Sequence, residues 1–207
     1  MGLRRFEKTD QWVSEEVVVQ LDPAALAAAL QSTDAAQRRH SIWCAQPCPE
    51  TTALLLRHLQ DETSVQVQEV LLAVLGQSEG EVVVPALLEQ LSSEDALLRN
   101  RALEVLASFA DHVAQHMPAQ LAAADVDKRI FLVNLMGELK HPQVPTWVQE
   151  LLYGEEHVNV VAAALEVAAE VGDMQMLPAI DAVQRRFADD FFIGFAADMA
   201  RQRIGVQ

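Results

Sequence analysis

Aromatic residues are scarce in this 207-residue chain, at 5% with a single tyrosine, and lysine plus arginine total only 15 against 30 aspartates and glutamates. There are two cysteines, eight glycines and eight prolines. Each shortage excludes something. With a formal charge of -15, the field of the protein repels phosphate backbones, so nucleic acid and anionic membrane are poor partners, while a basic protein surface is the complementary expectation. No apolar run approaches the roughly 20 residues of a membrane span, and the opening MGLRRFEKTD leads into no apolar signal core, so a cytoplasmic location is expected. The glycines and prolines sit at punctuation points, which leaves no linker and favours one domain. There is no phosphate-binding loop, no glycine-rich dinucleotide fingerprint and no GxSxG nucleophile motif.

What the chain does have is Ala, Leu and Val in quantity, with 51% of residues apolar, a mix suited to closely packed helices. It also repeats itself after about 31 residues. One copy, Val84 to Asp111, reads as an apolar helix opened by Pro85, a polar turn at Ser92–Asp95, and a second helix carrying Leu98, Ala102, Val105 and Leu106 on one face. The copy before it runs from Thr51 to Gly76. Those after it include Met117 to Gly137 and Val144 to Asp173, and degenerate copies begin at Leu177 and at Leu21. Two registers run in parallel: Gly76, Ala107, Gly137 and Ala168 late in the second helices, and Leu91, Leu121, Leu152 and Val183 late in the first. Small residues at recurring positions let stacked helices approach closely.

Helix signals keep the same register. Pro85, Pro145 and Pro178 stand near expected first-helix starts, where a missing N–H costs nothing, and Pro118 has drifted. Asp34, Asp61, Glu94, Asp95, Asp125 and Glu155 precede or open second helices, where capping and the helix dipole favour a carboxylate. Gly76, Gly137 and Gly172 fall near helix C-termini or tight turns. The valine runs Val17–Val19 and Val82–Val84 have strand propensity but no hairpin partner, and read as helix starts or connections.

The segment Val84-Pro85-Ala86-Leu87-Leu88 with Leu91, followed by Asp95, Arg99, Ala102 and Leu106, resembles HEAT-like repeats in the short form found in phycobilisome-lyase-type and related bacterial proteins. The resemblance covers about residues 21–204. It implies an all-α fold, a right-handed α-solenoid of about six HEAT-like helical hairpins, with residues 1–20 as an N-terminal extension or cap and 205–207 as a tail. The family's ladder of Asp and Arg is partial: Asp34 with Arg38, Asp95 with Arg99 and Asp125 with Arg129 fit it, and Gln68 departs from it. Tetratricopeptide repeats fit less well, because their longer period and aromatic positions are absent. The family's activities are varied, so the resemblance identifies a fold and leaves function to the surface.

The candidate chemistry is thin. His112 and His116 are spaced to share a helix face, but no glutamate follows His112 and no third ligand converges, so surface histidines are the expectation and no metal is assigned. No histidine is followed by Glu, which excludes the family's metal-dependent hydroxylases. The family's DNA-glycosylase branch would need a basic, aromatic groove, and the charge argues against it. Cys44 and Cys48, in CAQPC, lack the redox CxxC spacing and read as a buried thiol beside Trp43 and a loop thiol. Glu79–Glu81 and Glu155–Glu156 read as solvated charge clusters in turns. No catalytic residue and no cofactor are assigned.

In HEAT arrays the second helices line the concave face. Their non-core phase here includes Glu69, Asn100, Glu104, Asn134, Glu138, Glu166 and Glu170, an acidic-to-polar stripe expected either to engage a basic protein segment or to be a solvated face. Phe187, Phe191 and Phe195, with Phe192 alongside, recur at helical spacing near the C-terminus. They read first as a cap on the last apolar face, and alternatively as an exposed patch for dimerisation or docking. Trp12 and Val17–Val19 pose the same question at the other end. The expected function is a non-enzymatic scaffold or adaptor. The alternatives are a bilin lyase or chaperone-lyase subunit, which the resemblance alone suggests, and an immunity-type binder of a basic toxin.

Overall fold

The computed structural model describes residues 20–205. Trp12 and the Val17–Val19 run lie outside that range. Among the described residues the secondary structure is helical, apart from one isolated bridge between Leu21 and Ala45 that ties the start of the first hairpin to the loop leaving it.

Twelve α-helices follow one another: α1 (Pro23–Ala29), α2 (Ala35–Trp43), α3 (Pro49–Asp61), α4 (Val65–Leu75), α5 (Gly80–Gln90), α6 (Ala96–Ala107), α7 (Ala110–Ala123), α8 (Val126–Glu138), α9 (Val144–Gly154), α10 (Val158–Val171), α11 (Leu177–Arg186) and α12 (Phe191–Ile204). A 3-10 turn, Met174–Met176, leads into α11. No helix among the described residues is long and apolar enough to cross a membrane.

Local chemistry sets the boundaries. Asp22, Asp34, Asp95, Asp125 and Asp190 are N-caps whose carboxylates accept the free N–H groups of the first turns of α1, α2, α6, α8 and α12. Part of the acidic excess is therefore committed to helix starts, each such cap contributing about 1 kcal/mol. Pro23, Pro49, Pro145 and Pro178 occupy first-turn positions.

One expectation fails. Pro85 does not open its helix: α5 begins at Gly80, and Pro85 lies inside it. The valine run is helical because Val83 and Val84 are fully buried, and burial of this kind outweighs β-propensity. Pro118 likewise lies within α7, which starts at Ala110. Of the carboxylates expected to precede or open second helices, Asp61 and Glu155 do precede α4 and α10 but are the N-cap of neither: Asp61 is the last residue of α3, and Glu155 is the C-cap of α9.

Order in space follows order along the chain. Each odd helix packs on the even helix after it, and each even helix packs on the next, α2 on α4 and so on to α10 on α12. The odd helices form a second row through α1, α3, α5 and α7 and again through α9 and α11. Contact between α7 and α9 is the sparse one. One continuous apolar cluster runs between the rows from Leu26 to Ile204, each fully buried aliphatic side chain contributing about 1.5–3 kcal/mol.

Within the even row, α10 and α12 approach closely at Gly172, the C-cap of α10. A Cβ there would collide with the Ala168 carbonyl oxygen and stand 2.9 Å from Cδ1 of Ile204 in α12, whereas one at Gly154 would meet nothing within 4 Å. Gly172→Ala is therefore expected to destabilise the protein by about 1–3 kcal/mol, and Gly154→Ala to change stability by no more than about 1 kcal/mol. Urea unfolding of the two variants checks the pair.

Candidate interaction surface

Counting from the N-cap of each even helix places every residue of the expected stripe. Glu69 is the fifth residue after Ser64, Asn100 and Glu104 the fifth and ninth after Asp95, Asn134 and Glu138 the ninth and thirteenth after Asp125, and Glu166 and Glu170 the ninth and thirteenth after His157. Steps of four advance about 40° beyond a full turn, so these positions share one flank of each helix. All seven are exposed. The flank opposite carries the core: in α6, Leu98, Ala102 and Leu106 are buried. The structure thus brings the seven together along the solvent side of α4, α6, α8 and α10.

The same count continues beyond them. In α2 it reaches Arg39 and Trp43, and in α12 it reaches Phe195, Met199 and Arg203. Trp43 is 55% exposed and Phe195 56%. The face is therefore polar and acidic along its middle and aromatic at both ends. Sequence reasoning missed Trp43 as part of it, although the spacing from Asp34 was there to be counted.

The face is not uniformly negative. Arg101 of α6 pairs with Glu69 of α4, and Arg203 of α12 lies 3.9 Å from Glu170 of α10. Such exposed pairs contribute little to stability, but they neutralise both ends of the acidic run. Glu104, Glu138 and Glu166 have no ion-pair partner among the described residues, which leaves three uncompensated carboxylates in the middle.

The phenylalanine cluster does not cap the core. Phe191 is 90% exposed and Phe192 58%, and only Phe187 is half-buried. Ile193, Ala197, Ala200 and Ile204 cover the last apolar face instead, because these smaller side chains allow α12 to lie closer to α10. Phe191, Phe192 and Phe195 lie exposed on α12.

A different chemistry holds the edge where the hairpins turn. Glu62, at the end of α3, is buried and accepts from Arg38 of α2 through both Nε (2.7 Å) and Nη2 (2.8 Å), from the Ser64 N–H (2.8 Å), and meets His58 Nε2 at 3.0 Å. Burial by itself raises the Glu62 carboxyl. The Arg38 hydrogen bonds, the Ser64 N–H, the Arg38 charge and His58 together outweigh it and hold the group at about 2. Asp95 is likewise held below the usual carboxylate range, chiefly by the Leu98 N–H that it caps. Glu155 repeats the Glu62 arrangement, accepting from the Glu156 and His157 N–H groups and pairing with Arg129 at 3.2 Å. Arg186 ties α11 to the end of α9, donating to the Leu152, Tyr153 and Glu155 carbonyls at 2.9 Å each.

Beside this edge a cleft of about 730 Å³ opens between α7 and α9, where the odd row is sparse, lined by Pro118, Arg129, Trp147, Glu150, Glu155 and His157 among others. Arg129 meets Glu155 there through Nη1 only, its Nε being left without a hydrogen-bond partner, and no constellation for acid–base or nucleophilic work converges. His112 and His116 are half-buried along α7. His112 meets Phe109 edge-on at 6.2 Å. Among the described residues no three metal-ligating side chains gather. Cys44 is buried, 3.6 Å from His40 Nε2, and Cys48 serves as the N-cap of α3. No family model matches the chain, and no curated protein is significantly similar to it.

Glu62→Gln leaves Arg38 without its charge partner, and is expected to cost about 3 kcal/mol at pH 7. The sign with pH follows from a folded value near 2 against an ordinary 4.5. The carboxylate's contribution is fully present above about pH 4.5 and is lost as pH falls toward 2. Urea unfolding at pH 7 and at pH 3 should show the gap between wild type and variant shrinking at the lower pH.

Proposed function

We propose that the chain is a cytoplasmic, non-enzymatic adaptor: a right-handed solenoid of about six HEAT-like hairpins that holds a basic protein segment along the outward side of its even helices. One observation carries the reading. A single exposed face runs across consecutive helices with three uncompensated glutamates, Glu104, Glu138 and Glu166, in its middle and exposed aromatic side chains, Trp43 and Phe195, at its ends. Lysine or arginine side chains of a partner would meet the glutamates, and apolar side chains would meet Trp43 and Phe195. Aromatic anchors supply most of the affinity in such interfaces, and charge supplies steering and register. A solvated face would explain the glutamates, but it gives no account of the aromatics at both ends.

The test uses the full chain in its native cell with a photo-crosslinking residue at Asn134 and, as a control, at Glu81 on the odd helix α5. The expected result is a crosslink from position 134 alone, to a polypeptide with a basic segment. Glu104→Lys with Glu138→Lys should weaken capture about tenfold and flatten its dependence on salt. Equal crosslinking from both positions, or capture indifferent to the charge reversal, would reject the face as the site.

A further inference from the structure

The turn edge repeats one arrangement, and one copy of it is incomplete. The motif Ser-x-Asp-x-x-x-Arg occurs twice, at Ser32–Arg38 and Ser93–Arg99. In both, the serine Oγ accepts the N–H of the N-cap aspartate, and the arginine, one turn into the helix, donates Nη1 back to the serine carbonyl. The guanidinium is thereby fixed with its other edge turned toward the next hairpin. For Arg38 that edge, Nε and Nη2, is filled by the carboxylate of Glu62. For Arg129, whose helix lacks the serine, the next turn supplies Glu155, which meets Nη1 at 3.2 Å and leaves Nε without a hydrogen-bond partner. For Arg99 the next turn is the one between α7 and α8, and the residues ahead of its N-cap, Asp125, are Ala123 and Ala124.

No carboxylate therefore reaches Arg99. Its Nε is buried with no hydrogen-bond partner, and its Nη2 makes no hydrogen bond among the described residues. Phe131 lies under the guanidinium, 4.9 Å from its centre to the ring centroid, which holds the plane of the fork. A cavity of about 430 Å³ opens at this point, lined by Ser92, Ser93, Arg99, Asp125, Lys128 and Phe131 among others. Three carboxylates also line it, Glu94, Asp125 and Asp127. Asp125 is engaged as an N-cap to Lys128 N–H, and the Lys128 ammonium lies 3.5 Å from Glu89. Those acids repel a diffuse anion. A carboxylate seated in the slot would meet a pre-oriented planar donor pair of the kind that favours bidentate binding.

We propose that the Arg99 slot is a carboxylate-binding site, the position of Glu62 and Glu155 left open for an acidic group brought by another molecule. The inference rests on the comparison of three copies within one chain and stands apart from the reading of the acidic face. The carboxylate can come from an aspartate or glutamate side chain or from a chain terminus, and the two sources are distinguished by the probes below.

The test follows the arginine Nε–H resonances of the full chain by proton–nitrogen correlation, with the Arg99 signal assigned by its loss in Arg99→Lys. N-acetyl-glutamate methylamide presents a side-chain carboxylate, N-acetyl-alanine presents a terminal one, and sodium chloride is the ionic control, each titrated to about 0.1 M. The expected result is a saturable shift at Arg99 with one or both carboxylates, none with chloride, and none at Arg38, whose edge is occupied. The stronger of the two carboxylate responses identifies the source. Ala123→Glu fills the slot from within, and should weaken the Arg99 response about tenfold or more. No saturable shift at Arg99, or a shift that chloride reproduces, overturns the proposal from the wild-type protein alone, whatever Ala123→Glu does to folding. An unchanged response in a folded Ala123→Glu variant, with Ala124→Glu as a second placement, overturns it as well.

Discussion

Helix α10 is apolar almost all round. Val160 to Leu165 and Val167 to Ala169 are buried without interruption apart from Glu166, and the residues left exposed along it are Asn159, Glu166 and Glu170. A helix of this kind cannot sit on the surface of a compact body. It must be flanked by α8, by α9 and by α12, and these are the neighbours it has. The requirement to bury two flanks as well as an inner face drives each even helix against the next, and the row follows from it. The narrow polar strip has one direction left to face. The position of the candidate surface is therefore a consequence of burial, and the side chains on that surface are free of any duty to the core.

Burial explains the rows, and a second interaction keeps their turns in place. The buried glutamates Glu62 and Glu155 each satisfy backbone N–H groups at the end of one hairpin while receiving an arginine from the hairpin before. Each joins a local turn to its neighbour. Removing one partner of such a pair is more damaging than never having had the pair, since it strands a charge. In the fourth hairpin no glutamate meets the arginine of the hairpin before, and α7 stands away from α9. These irregularities fall together, so the least regular copy of the repeat is also where the turn edge is most open.

Much of this was legible in the residues. The repeat, the positions of most hairpins and all seven polar positions of the even helices follow from spacing, because the period of an α-helix converts sequence distance directly into direction. The phenylalanines were not legible in the same way. Phe191 and Phe195 are spaced like a core stripe, but a competing stripe of smaller residues, Ile193, Ala197, Ala200 and Ile204, overlaps them in the same helix, and only packing decides which one faces inward. Pro85 misled because proline marks first turns more often than interiors, and the buried valines before it extend the helix backwards. The pairing of Arg38 with Glu62 joins residues 24 positions apart, and no local rule predicts it. Trp43 was overlooked as part of the face, yet it falls in the phase of the even helices once its N-cap is known.

The central claim is that the even helices stand in chain order, so that one face is continuous across them. Spin labels at matching positions, the ninth residue after each N-cap, test it without any partner: Ala73, Glu104, Asn134 and Glu166, labelled in pairs in a chain carrying Cys44→Ala and Cys48→Ser. Distances from position 73 to 104, to 134 and to 166 should lengthen in that order, by about 8–10 Å at each step. A distance from 73 to 166 shorter than that from 73 to 134 would contradict the ordered row, and with it the continuous face.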